Sequence, residues 1–252
     1  MGKIKDTFEL SLSLAKAEFK ERNEGSYLGI FWYLLNPLLM FLLLLLVFSD
    51  RLGTNIPGYP LYLLLGIIIF NFFQKTTIES TKVIRLNRWI IKSINFPRES
   101  LISSIVLKTL FSHIFEIILF IIFILFFKIS IVGMIFYPLI LIFFCIFIFG
   151  ASLILSTLAV YFIDLENIWT FASRLIWLGT PIFYAIEGQT RLFYVNLFNP
   201  MYYFITIARD VIIYSRTPPL WMIMGAIGYS AIFLIAGLFI YNRLKIKFAE
   251  MV

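Results

Sequence analysis

His113 and Glu116 stand three residues apart inside a long apolar run, and His113 is the chain's single histidine. On a helix, that spacing puts both side chains on one face, within reach of a hydrogen bond. Ionisable groups at such depth mark a site. Three uses fit them: a structural pair between helices, a proton relay, or a substrate contact. A metal centre does not fit, because no third His, Cys or Asp accompanies them at ligand spacing. Arg174 is a further charge in an apolar segment, about 9 Å into it at the rise of a helix. It can pair with Glu116 or Asp164, or face a pore that carries an anionic substrate. Arg209-Asp210 is likewise embedded in apolar residues. The lone histidine argues against His-based triads. No G-x-x-x-x-G-K-[ST] loop occurs, so this chain does not hydrolyse ATP by that route. G-x-S-x-G and H-E-x-x-H are also missing.

The elements that must position these groups are read from composition. Of 252 residues, 61% are hydrophobic and 29 are Phe, with mean hydropathy +0.95. A soluble domain is about half apolar, and here the excess falls in long runs. An outer-membrane barrel would show short alternating segments instead. The chain therefore reads as an all-α polytopic membrane protein. Its net charge of +7 does not imply nucleic acid, because the bases lie in loops beside apolar spans. Cys145 is alone, so no disulfide forms within one chain. Residues 1–27 carry no secretory pattern. Phe8, Leu12, Ala15 and Phe19 lie on one helical face there, which predicts a helix lying in the membrane interface.

Six spans follow, at 28–48, 61–78, 101–127, 134–162, 168–186 and 220–241. In the first, Pro37 invites a kink, and Trp32, Tyr33 and Asn36 fall near one face. The rings are either an aromatic belt or a pore wall; a buried Asn should face protein or a cavity. The second half of span 4 is small-faced, with Gly150, Ala151, Ser152, Ser156 and Thr157, which suits close helix packing. Thr180-Pro181 should kink the outer end of span 5. Between 187 and 219, Asn199-Pro200 is a good helix start. Two short half-helices dipping into the membrane fit that segment better than a free loop. Fourteen of the 21 Lys and Arg fall in the N-terminus, the polar stretch 73–101 and the tail. That asymmetry predicts both termini on the cytoplasmic side.

The loop between spans 2 and 3 is the longest polar interruption. Lys82, Arg85, Arg88 and Lys92 share one helical face; Val83, Leu86, Ile90 and Ile94 share the opposite one. Pro97 ends that helix by disfavouring helical geometry at Phe96. Such a helix can rest on anionic lipid or dock a cytoplasmic partner.

The order of motifs is what identifies a resemblance. Gly29-x-x-Trp32 through Asn36-Pro37 is followed by Phe96-Pro97-Arg98-Glu99, Tyr161-Phe162-Ile163-Asp164 and Thr180-Pro181-Ile182-Phe183-Tyr184. Asn199-Pro200-Met201, Arg209-Asp210 and Phe248-Ala249-Glu250 complete the series. Together they resemble the permease subunit of ABC-2 type exporters of polysaccharide or polyol phosphate, the O-antigen and teichoic acid group. Ile163 departs from the Arg often found there. The resemblance covers nearly the whole chain and implies a single ABC-2 transmembrane domain, 1–252. It implies a homodimeric channel in the bacterial inner membrane, bound to two ATPase subunits that carry ATP and Mg, with no cofactor in this chain. It also implies an undecaprenyl-linked glycan as cargo. Region 79–100 becomes a coupling helix, with Arg88, Ile90, Ile94, Phe96, Pro97, Arg98 and Glu99 at the ATPase contact. Segment 187–219, with Asn199, Pro200, Arg209 and Asp210, becomes the outer gate. Trp32, Tyr33 and Tyr184 become sugar-stacking faces by position, and Asn36 and Arg174 join them as candidates for the channel lining. Two other readings stand beside this one: an ABC-2 exporter of small hydrophobic molecules, and an intramembrane transferase that uses His113 and Glu116 on lipid-linked sugars.

Overall fold

A computed structural model describes residues 2–24, 27, 29–93, 96–186, 190–245 and 248. Helices dominate, and no strand occurs among the described residues. Helix α1 (Gly2–Asn23) lies along α5 (Glu99–Phe126). Among its described side chains Ser11 and Ala15 are buried, whereas Phe8 is exposed. The chain turns at Gly29, whose φ of 41° suits a residue without a Cβ. Helix α2 (Phe31–Phe48) then runs without a break through Pro37.

Helix α3 (Tyr59–Leu86) is the central element, capped at its start by Gly58 and by Pro60 in the first turn. It stays helical well past the apolar run, and there its hydroxyl residues bond their own backbone. Thr76 donates to the Phe72 carbonyl at 2.6 Å, Thr77 to Phe73 at 2.8 Å and Ser80 to Thr76 at 2.7 Å. Each hydroxyl is satisfied within its own helix, so the polar stretch can be buried. The helix breaks at Asn87, and the short α4 (Arg88–Ser93) follows. The expected single helix with opposed basic and apolar faces is therefore two elements. Lys82, Arg85, Val83 and Leu86 belong to α3; Arg88 and Ile90 belong to α4. The apolar set does not share one environment: Val83 is buried, and Leu86 and Ile90 are exposed. Ile94 lies outside the described residues.

Helix α6 (Tyr137–Tyr161) packs most extensively on α10 (Leu220–Leu244). The reason is the small-faced half. A Cβ on Gly150 would fall on the backbone of Phe233 and Leu234, and one on Gly237 would fall on Gly150. The helices approach until only hydrogen fits between them.

Five segments have the length and composition to cross a bilayer: α2, α3, α5, Ile131–Tyr161 (the 3-10 turn Ile131–Phe136 with α6) and α10. The expected fifth span, 168–186, is not one helix. Helix α7 (Leu165–Gly179) has 15 residues, roughly 22 Å against a hydrocarbon core of about 30 Å. Beyond it the chain bends through Pro181–Tyr184. Two short helices follow, α8 (Thr190–Leu197) and α9 (Pro200–Ile212). Asn199 caps α9, its side chain accepting from the Met201 amide at 3.1 Å.

Candidate translocation and coupling sites

Three polar assemblies organise the interior. In the first, Glu116 is buried and accepts from Lys75 at 2.7 Å. Its other oxygen lies 3.2 Å from His113 Nδ1, and His113 Nε2 lies 2.6 Å from the Tyr137 hydroxyl. The imidazole stacks on Phe72 at 4.7 Å. The assembly joins α3, α5 and α6. The His113–Glu116 pair foreseen from spacing is present, but Lys75 and Tyr137 complete it. Nearby, Lys108 bridges Glu18 at 2.7 Å and Glu79 at 2.8 Å, and Arg22 meets Glu79 at 3.2 Å. These bonds clamp α1 onto α3 and α5.

The second assembly surrounds Arg209. Its guanidinium is buried without a carboxylate partner among the described residues and donates to three carbonyls: Tyr62, Pro181 and Ile182. It lies over the Tyr62 ring at 3.3 Å. A cation can stay buried when most of its N–H groups meet acceptors, here through four bonds, and a ring face adds attraction. The carbonyls of Pro181 and Ile182 are free to accept because the chain bends after α7. Tyr184 supports that bend: its hydroxyl donates to the Gly179 carbonyl at 2.7 Å, at the open end of α7. Asn199 adds a bond from Nδ2 to Thr180 Oγ1 at 2.8 Å. Arg209 and Asn199 thus hold α9 against the bend, and Tyr184 has a structural contact in addition to any role at a channel.

The third assembly lies at the tail end of α10. Arg98 donates to the Lys245 carbonyl at 2.7 Å, and Lys245 Nζ meets Glu99 at 3.2 Å. Tyr161 donates to the Leu244 carbonyl at 3.2 Å, and Phe248 is buried against Tyr241. Phe96 packs on the same apolar cluster. Arg98 and Glu99, expected at a partner contact, bind the chain's own tail. What stays open beside them is α4: Trp89 is 70% exposed and Ile90 42%, and Leu86 is exposed at the end of α3. The Arg88 guanidinium lies over Trp89 at 5.3 Å. Lys82 and Arg85 both pair with Glu166, at 2.8 and 3.1 Å. The lysine's hydrogen bond holds that carboxyl below its usual range.

The channel candidates divide. Tyr33 is buried between α1 and α5, stacked on Phe19 at 5.7 Å and near Phe115 at 6.3 Å. Its ring is therefore engaged by contacts within the chain. Trp32 and Asn36 are exposed on one face of α2. Arg174 is exposed and makes no ion pair among the described residues; Glu116 is taken by Lys75, and Asp164 is not its partner. Lys75 and Tyr137 were missed because each is far in sequence from the pair it completes.

A helical bundle with several bilayer-length apolar helices, and with its charges paired or capped inside, is a multi-pass membrane protein. The ABC-2 type transporter profile matches residues 9–213. The chain belongs to that family, and it is a transport subunit that works with an ATPase partner. It is similar to two O-antigen export system permease proteins RfbA from Klebsiella pneumoniae, each 29% identical over 97% of this chain and 95% of the relative. A Myxococcus xanthus protein of the same description is 25% identical over 96% of this chain and 95% of its own length.

Proposed function

We propose that the chain is the permease subunit of an ATP-driven exporter that moves an undecaprenyl-linked polysaccharide, O-antigen or a similar surface glycan, across the bacterial inner membrane. The observation that carries this reading is the end-to-end similarity to O-antigen export permeases. Two copies form the channel and two ATPase subunits, which bind ATP and Mg, drive it; both termini lie on the cytoplasmic side. Exposed Trp32, Asn36 and Arg174 face the glycan, where rings give apolar contact without immobilising it. Helix α4, with Trp89 and Ile90 outward, seats on the ATPase. Helices α8 and α9, with Asn199, Pro200, Arg209 and Asp210, form the outer gate. Membrane lipid covers the remaining apolar surface.

Deletion of the gene, with its neighbouring ATPase intact, is expected to leave lipid-linked glycan on the cytoplasmic face. Glycan that still reaches the cell surface at the wild-type level would refute the proposal. The transferase reading loses its motive, since His113 and Glu116 are buried and already bonded to Tyr137 and Lys75.

A further inference from the structure

Two cavities lie on opposite faces of α9, at the end of α10 away from the tail. One, of about 620 Å³, is mixed in character. Rings of Tyr62, Tyr202 and Tyr214 line it together with Thr206, Asp210 and Arg216. The other, of about 440 Å³, is a groove between α6, α9 and α10. Its walls are almost wholly apolar, with Leu139, Ile140, Phe204, Ile207, Ile223 and Ile227 among them. Leu139, Ile223 and Ile227 are partly exposed, so the groove opens on the apolar surface of the bundle.

Among the described residues, Arg216 alone lines both cavities. It sits beyond the end of α9, where its amide donates to the Asp210 carbonyl at 2.8 Å. Its guanidinium lies near the Tyr214 ring at 5.4 Å. It is exposed and forms no direct salt bridge among the described residues, although the Asp210 carboxyl beside it feels its charge. Arg209, seven residues earlier, is consumed by carbonyls, so Arg216 is the cation left for a ligand.

The geometry points to a site for a single-chain lipid phosphate that carries a hydroxylated head group. The hydrocarbon chain lies in the apolar groove, the phosphate meets Arg216, and the head group enters the tyrosine-lined cavity. Each part follows from chemistry. A guanidinium matches phosphate oxygens in a fork. A groove with nearly no polar wall suits hydrocarbon alone, and its volume, within the roughly 300–1,000 Å³ of small-molecule sites, holds part of one chain rather than two. The Tyr62 ring is already covered by Arg209, so the stacking faces come from Tyr202 and Tyr214, with Thr206 and Asp210 as acceptors for sugar hydroxyls. This inference rests on the export reading and deepens it: the site takes the lipid end of the cargo at the far face, where the glycolipid leaves.

Native mass spectrometry of the full-length chain in detergent tests it, with undecaprenyl phosphate, undecaprenol, phosphatidylglycerol and inorganic phosphate as probes. The wild type should retain undecaprenyl phosphate over the other three. R216Q should weaken that lipid by roughly tenfold or more, the loss of one charge-assisted contact, and leave undecaprenol unchanged. I227W, which fills the groove, should weaken both isoprenoids. An unaltered melting temperature keeps R216Q interpretable. Equal binding of undecaprenyl phosphate by R216Q overturns the site. So does displacement by inorganic phosphate at matched concentration, which would show an anion contact without the groove. Equal retention of phosphatidylglycerol overturns it as well, showing a general lipid contact. Glycan export that persists while these differences vanish removes only this site. Loss of the export reading, with the R216Q difference intact, leaves a lipid-phosphate site with different cargo.

Discussion

Arg209 donates to the carbonyl of Tyr62 while its guanidinium lies 3.3 Å from the centre of that residue's own ring. One side chain thus fixes both the backbone and the ring of a residue 147 positions away. The same guanidinium holds Pro181 and Ile182, so α3, α9 and the bend after α7 meet at one cation. A Cβ on Gly66 would collide with that guanidinium, so the glycine makes room for it.

Replacing Arg209 by Met should therefore strip a donor from three buried carbonyls, of which Pro181 keeps a second bond, from the Tyr62 hydroxyl at 3.3 Å, at a cost of about 2–5 kcal/mol. R209K keeps the charge but not the fork and should fall between. Thermal melting in detergent ranks the three proteins; equal melting of R209M and wild type would contradict the cage.

Glu116 and Lys75 should be strongly coupled. E116Q leaves the Lys75 ammonium without its carboxylate, and K75M leaves the carboxylate with only His113. The double variant should be less destabilised than the two single effects summed, by about 1–3 kcal/mol in a double-mutant cycle. Simple additivity would mean that the pair contributes nothing.

At the contact of α6 with α10, G150A should cost about 1–3 kcal/mol and G150L more, because backbone rather than a flexible side chain occupies the space. Pairing G150A with G237A should give less than the sum, since the first change already separates the helices. Melting curves of the four proteins decide this.

Glu166 predicts an acid limb. Its carboxyl is lowered from 4.5 by Lys82. Its contribution is thus fully present above that value and is lost as pH falls through the lower folded value. The pair is partly exposed, so the effect should be small, about 0.2–1 kcal/mol. E166Q should melt like the wild type below that window and slightly lower at neutral pH.

On α4, W89D or I90D should leave the fold intact and cut export by about tenfold or more at unchanged ATPase expression, if the exposed pair is a hot spot. I91D, at a buried position, should instead lower the yield of folded protein. Normal export by both surface variants would place the ATPase contact elsewhere.

Several features were legible before the structure. The small face of α6 encodes a close helix contact, and Asn199-Pro200 encodes a helix start, because both depend on local residue type. The His113–Glu116 spacing predicted their bond for the same reason. Lys75 as the partner of Glu116 was not legible, since 41 residues separate them and charge sign alone chooses among many bases. Arg209 was harder still, because its partners are carbonyls, which every residue carries. The length of α7 was misjudged because hydropathy runs on past Gly179, while Asn196 and Tyr184 supply the bonds that end the helix there. The break at Asn87 leaves almost no mark in a helical wheel, and it redistributes the residues of the basic stretch between two elements.

The clasp of Arg98 and Glu99 on Lys245 also bears on how such a chain diverges. The two stretches lie 147 positions apart, yet a change in one alters the partners of the other. A lineage that loses the acid at 99 strands the lysine, and one that shortens the tail strands Arg98. Substitutions at the two places should arrive together in descendants of this sequence, as a matched inheritance that no local motif reveals.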